Sequence, residues 1–126
     1  MLNDVTLVGR LVRDPETKAM PSGVVNARFT LAINSGVKKK DSEEYKTDFI
    51  PVEAWAKTAE FVARYVKGDL LQIKARLERQ EWEDKKEPGK MIRETKVIAI
   101  RAVRLAKSGG QAATEDPQEG SEEIPF

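Results

Sequence analysis

From Val25 to Ile33 the chain alternates: Val25, Ala27, Phe29, Leu31 and Ile33 on one parity, Asn26, Arg28, Thr30 and Ala32 on the other, with Asn34 following. A period of two places successive side chains on opposite sides of an extended backbone, so one face is apolar and the other is wet. This is the signature of a half-buried antiparallel strand, and such a strand needs partners on both edges. The rest of the chain must supply them.

Val5 to Val12 reads as one partner, with Gly9 inside it marking a bend or bulge. Asp14-Pro15 and Pro21-Ser22-Gly23 are turn signals, and Glu16 to Met20 between them fits a short return strand. Ser35 to Tyr45 reads as a polar loop carrying Lys38-Lys39-Lys40. Lys46 to Trp55 resumes strand character, with Pro51 confined to an edge or a bulge because it lacks an amide donor. Then the period changes. Ala59, Val62, Ala63 and Val66 fall at helical spacing over Ala56 to Val66, with Gly68 in place to stop the helix and no clear N-cap before it. Leu71, Ile73, Ala75 and Leu77 alternate in a strand running towards Trp82. Glu83 to Lys90 forms a charged loop with Pro88-Gly89 at its tip, and Met91 to Leu105 is the last strand.

Strand, strand, strand, helix, strand, strand is the order of an all-β, five-stranded OB-fold barrel with one helix between strands 3 and 4. An SH3-like barrel lacks a helix of this length. A sheet-and-helix α+β domain stays open on pattern alone.

Charge divides the chain of 126 residues in two. All 22 Lys and Arg residues precede Ser108, against 16 acidic ones, so the body carries +6. Beyond it there are no bases and five acids, Glu115, Asp116, Glu119, Glu122 and Glu123. The expected organisation is a folded domain over 1–107, a flexible linker over 108–120 and an acidic tip over 121–126, the last two forming a disordered acidic C-terminal tail. A body of this charge suits a polyanion, and a tail of the opposite sign suits a different partner. The tip closes on Ile124-Pro125-Phe126, an apolar plug behind Glu122 and Glu123. A partner could seat the Phe126 ring in a pocket and the carboxylates on Arg or Lys.

Several chemistries find no residues here. With no Cys and no His, the chain lacks a disulfide framework, a thiolate zinc site and the commonest general base. Paired carboxylates such as Glu81 and Glu83 sit among bases, with no nucleophile beside them. The expectation is a binding protein and not an enzyme, with no metal and no cofactor. The sequence shows no apolar run of membrane length and no signal-peptide layout, so the expected location is cytoplasmic.

Aromatic residues make up only 6% of the chain, so each one needs a place. Phe29 and Phe61 fit core and helix packing, and Tyr65 fits a structural role. Phe49, Trp55 and Trp82 fall outside the apolar alternation, on polar strand segments. Exposed rings flanked by cations form a stacking platform for unpaired bases, since every base offers a flat π-face whatever its identity. Phosphate-tracking candidates are Arg10, Arg28, Lys38, Lys39, Lys46, Arg76 and Arg79, joined by Lys40, Lys85, Lys86 and Arg93. Acidic residues interleave with the bases in both loops. A scaffold for other proteins and an RNA-binding barrel therefore remain rivals.

At this point the residues resemble a known family, the bacterial and phage single-stranded DNA-binding proteins. The resemblance runs through Met1-Leu2-Asn3, Val8-Gly9-Arg10-Leu11, Asp14-Pro15-Glu16, Met20-Pro21-Ser22-Gly23 and Phe29-Thr30-Leu31-Ala32. It continues in Asp48-Phe49-Ile50, Trp55, Ala59, Val62-Ala63, Lys67-Gly68, Arg76-Leu77 and Trp82, and returns at Glu122 to Phe126. It implies an OB fold assembled as a homotetramer and wrapped by single-stranded DNA. Phe49, Trp55 and Trp82 would fill three base-stacking positions. The tip would recruit replication and repair enzymes in the cytoplasm, at the nucleoid. Where the family usually has a fourth aromatic, this chain has Val37 beside Lys38. Pro51 and Glu53 also depart from the family pattern, and Glu53 is expected to place charge unfavourable to DNA on that strand.

Overall fold

The computed structural model describes residues 1–41 and 43–108; the expected acidic tip, Glu122, Glu123, Ile124, Pro125 and Phe126, lies outside the described residues. The elements follow in the order β1 (Val5–Leu11), β2 (Glu16–Ala19), β3 (Val25–Lys38), β4 (Tyr45–Trp55), α1 (Ala56–Val62), β5 (Leu70–Glu83) and β6 (Met91–Ala106). The sheet runs β1-β5-β6-β4-β3-β2 and closes on itself where β1 also pairs with β3. The short β2 is exposed throughout and hangs on β3 as a hairpin turned at Gly23. The other five strands form the closed barrel, with the helix between the third and fourth of them. This is the five-stranded OB architecture expected from the element order.

Burial follows the alternation. Ala27, Phe29 and Leu31 of β3 point into the core with Val52 and Ala54 of β4, Leu71, Ile73 and Ala75 of β5, and Ala99 and Ala102 of β6. Helix α1 closes the packing with Ala59 and Val62. Gly9 has a steric reason. A Cβ there would come within 2.7 Å of both the Ala32 carbonyl oxygen and Ile33 Cγ1. Immediately after it, Arg10 and Leu11 turn onto Ala32 and Leu31 of β3, and that step closes the barrel. Pro51 fits for a related reason. It lies opposite Thr30, whose carbonyl accepts the Val12 amide at 3.1 Å. The Thr30 polar groups therefore face β1, the pair carries no ladder bond, and a residue without an N–H costs nothing there.

The helix is shorter than its apolar period indicated. It ends at Val62, with Ala63 as its C-cap, and Ala63 and Val66 are exposed. Gly68, at φ 91°, does not terminate it. The segment from Tyr65 to Asp69 is bound to β1 instead. The Gly68 amide donates to the Leu11 carbonyl at 2.8 Å, and the Leu11 amide donates to the Asp69 carbonyl at 2.9 Å. The Asp69 side chain, 1% exposed, accepts the amides of Val66 at 3.0 Å and Ser108 at 2.6 Å. Tyr65 is buried beside it, as its structural assignment required. Strands β3 and β4 also run further than expected, to Lys38 and from Tyr45, so the loop between them is short.

Candidate nucleic-acid interface

The outer surface of β4 is set by even spacing. Phe49, Pro51, Glu53 and Trp55 share one face, opposite the core residues Val52 and Ala54. Register places Ala32, Thr30, Arg28 and Asn26 of β3 beside them, and Glu16 and Lys18 of β2 beyond Arg28 and Asn26. On β5, Arg76, Glu78, Gln80 and Trp82 alternate on one side, opposite Ile98, Lys96, Glu94 and Ile92 of β6. A salt bridge joins the two halves, because Lys96 Nζ lies 3.2 Å from Glu53 Oε2.

All three candidate stacking rings lie at the surface. Phe49 is 61% exposed, Trp55 38% and Trp82 40%. None belongs to the buried core cluster. Trp55 stands at the end of β4, in extended conformation as the residue before α1, and Asn26 is its neighbour across the ladder. Trp82 stands opposite Ile92 near the end of the β5–β6 arm, where the strands have left the barrel.

The candidate cations divide into two groups. Most are held by nearby carboxylates, in the loop between β3 and β4 or on a strand. Lys38 meets Glu43 at 3.5 Å, Lys39 meets Glu44 at 3.7 Å, Lys46 meets Asp48 at 3.9 Å and Arg76 meets Glu78 at 2.8 Å. Arg93 meets Glu81 at 3.0 Å, and Arg79 donates to the Thr95 hydroxyl at 3.0 Å. These pairs are exposed, so each is weak and open to exchange with an incoming anion. Arg10 differs, since its guanidinium donates to the Gly68 carbonyl at 2.8 Å at the opposite end of β1 from the β5–β6 arm. The structure gives Arg10 a local bracing contact. Arg28 is a contrasting case: among the described residues its side chain makes no hydrogen bond or ion pair, and it lines both surface clefts of this face.

Glu53 corrects an expectation. It is 7% exposed, not a loose negative charge on the surface. Asn26 Nδ2 donates to its Oε1 at 3.0 Å and Lys96 Nζ donates to its Oε2 at 3.2 Å. The carboxylate is neutralised in place and ties β3, β4 and β6 together. Reading by segment missed Asn26 and Lys96 because their meeting with Glu53 is a long-range event. The signal present was an Asn inside the apolar run and a Lys just before the core residues of the last strand.

Glu78 sits below its usual value of 4.5, held there first by the hydrogen bond from Gln80 and then by that from Arg76. The two bonds measure 2.9 and 2.8 Å.

Two clefts of about 410 and 500 Å³ adjoin on this surface and share Glu16, Arg28, Glu53 and Lys96. The second is walled by Trp55 and Gln80. Among the described residues, no helix is long and apolar enough to cross a membrane.

An OB-type barrel whose outer strand face carries exposed rings among exchangeable cations defines a class: barrels that present an open surface to an extended polyanion. Comparison with known proteins narrows it. The model of the single-strand binding protein family matches residues 2–105, and the chain belongs to that family. It is 39% identical to a single-stranded DNA-binding protein of Halalkalibacterium halodurans, over 89% of this chain and 66% of that protein. It is 41% identical to one from Bacillus cereus, over 88% and 65%. It is 35% identical to single-stranded DNA-binding protein 1 of Streptococcus pyogenes, with both chains fully covered. The chain thus spans about two thirds of the first two relatives and the whole of the third.

Proposed function

We propose that this protein binds single-stranded DNA with little sequence preference and protects it during replication, recombination and repair. The observation that carries the reading is the exposure of Phe49, Trp55 and Trp82 on wet strand faces beside Arg28, Lys38, Lys39, Lys46, Arg76 and Arg79. Each ring stacks a base, and the cations attract phosphates and release counterions. Membership of the family and the names of the relatives support this ligand.

Self-association belongs to the same reading. Strand β1 pairs with β3 only at Arg10 and Leu11, so among the described residues the second edge of Val5 to Gly9 carries no strand. An open edge with Val8 exposed on it favours pairing with another copy, on the way to a homotetramer. The acidic tip, Glu122 to Phe126, recruits replication and repair enzymes, in a cytoplasmic, nucleoid-associated setting.

The decisive measurement is a titration of intrinsic fluorescence with poly-dT, with light scattering recorded on the same samples. Strong quenching that saturates at a fixed number of nucleotides per protomer is expected, from a tetramer. No quenching would overturn the reading in favour of a protein scaffold. Competition between dT and rU homopolymers separates DNA from RNA. Removal of Ser121 to Phe126 is expected to abolish capture of replication enzymes and to tighten DNA binding at low salt, because an acidic competitor is lost.

A further inference from the structure

We infer that Tyr45 is a further base-stacking residue, which extends the nucleic-acid face beyond Phe49 towards the tip of the β3–β4 hairpin; this rests on the single-strand reading above. Alternation along β4 puts Tyr45, Thr47 and Phe49 on the face that Pro51 and Trp55 share, opposite the core residues Val52 and Ala54. The Tyr45 side chain is 44% exposed and stands outside the core cluster.

The hairpin holds that ring in place. Asn34 pairs with Thr47 and Lys38 with Tyr45, so four steps along β3 match two along β4. The surplus bulges from β3, and β4 keeps its alternation. Local bonds shape the bulge. Asn34 Oδ1 accepts the Gly36 amide at 2.9 Å, Gly36 takes φ 79°, and Ser35 Oγ accepts the Val37 amide at 3.2 Å. The Ser35 hydroxyl also donates to the Lys46 carbonyl at 3.0 Å, which pins the bulge to the residue after Tyr45. On the other side of the Lys38–Tyr45 pair, the Lys39 amide donates to the Glu44 carbonyl at 2.8 Å.

The surroundings suit a base and its phosphate. Lys38 Nζ lies 6.0 Å from the centre of the Tyr45 ring, and Lys46 follows Tyr45 in the chain. Their carboxylate partners, Glu43 and Asp48, stand at 3.5 and 3.9 Å in exposed pairs that a phosphate can displace. The phenol ring offers the flat π-face that Val37, exposed in the same hairpin, lacks. Four residues separate Tyr45 from Phe49, about 13 Å at a strand rise of about 3.3 Å, so each ring takes its own base. The bound strand therefore runs on past Phe49 to the lysines of the hairpin.

The test uses the full-length protein and dT oligonucleotides. Tyr45→Ala should weaken binding about fivefold or more, the loss of one stacked base, with little change in the urea midpoint. Tyr45→Phe should bind as the wild type does. Tyr45→Leu should bind as poorly as Tyr45→Ala, and its apolar bulk keeps the test valid should the alanine variant loosen the hairpin. The slope of log affinity against log salt should keep its wild-type value in Tyr45→Ala and become shallower by about 0.7 in Lys38→Gln, since only the lysine displaces a counterion. Wild-type affinity in Tyr45→Leu, an equal loss in Tyr45→Phe, or a salt slope that becomes shallower when the ring is removed overturns the inference while leaving DNA binding intact. Failure of the wild type to bind dT at all would instead remove the single-strand reading beneath it.

Discussion

The strand β5 has two halves that share one backbone and differ in what holds them. From Leu71 to Ala75 every second side chain is fully buried in the barrel. From Leu77 to Glu83 the strand projects beyond the core, and polar contacts replace burial: Asn3 brackets the Leu77 backbone with bonds of 2.7 and 2.8 Å, and Arg76, Glu78 and Gln80 bond in series. The first half contributes stability through apolar area. The second contributes little of that kind and leaves the Trp82 ring and the Arg79 side chain at the surface. Pairing with β6 runs from Leu70 to Glu83, with register shifts at Leu70/Leu71 and Lys74/Ala75, so the stable half carries the half that holds Trp82 across an irregularity near the end of the core.

The widest separation between the halves should come from the core. Ile73→Ala is expected to lower unfolding free energy by about 2–5 kcal/mol in urea denaturation, because a large side chain is deleted from a packed interior. Next, Trp82→Ala on the arm should weaken poly-dT binding by about 1–3 kcal/mol with only a small change in the urea midpoint. A matched loss of stability in that variant would break the comparison, since the arm would then be part of the core. The smallest effect concerns Glu78. Its folded-state pKa is depressed, so the bonds it accepts persist above its ordinary value and are lost only as pH falls through a lower one. NMR titration should place its midpoint below 4.5 in the wild type and higher in Gln80→Met.

The barrel was legible where burial imposes a short period. The alternation of Val25 to Ile33 and of Leu71 to Ala75 is the core itself written in sequence order, and Gly9 announced the crossing that only a residue without Cβ permits. The helix end was not legible, because Ala63 and Val66 keep helical spacing while the chain beyond Val62 is captured by Leu11 and Asp69. That competition depends on β1, far away in sequence. The rings of the candidate interface could be picked out because large apolar groups on polar strand faces are conspicuous. The chemistry beside them could not. Glu53 looked like a repulsive charge until Asn26 and Lys96, brought in from β3 and β6, showed it to be a neutralised junction.

The contact between β4 and β6 is only two register pairs long, Val52 with Val97 and Glu53 with Ile98. A cylinder fastened so briefly along one line has a slit, and slits breathe before walls do. Those amide hydrogens of Val97 and Ile98 that face β4 should exchange with solvent sooner than those of Leu71 or Ile73, because β4 and β6 share only two register pairs while β5 is laddered at length along both β1 and β6. Both clefts border this line, so a bound strand would lie across it like a suture, and slowed exchange at those amides would register occupancy without any fluorescent reporter.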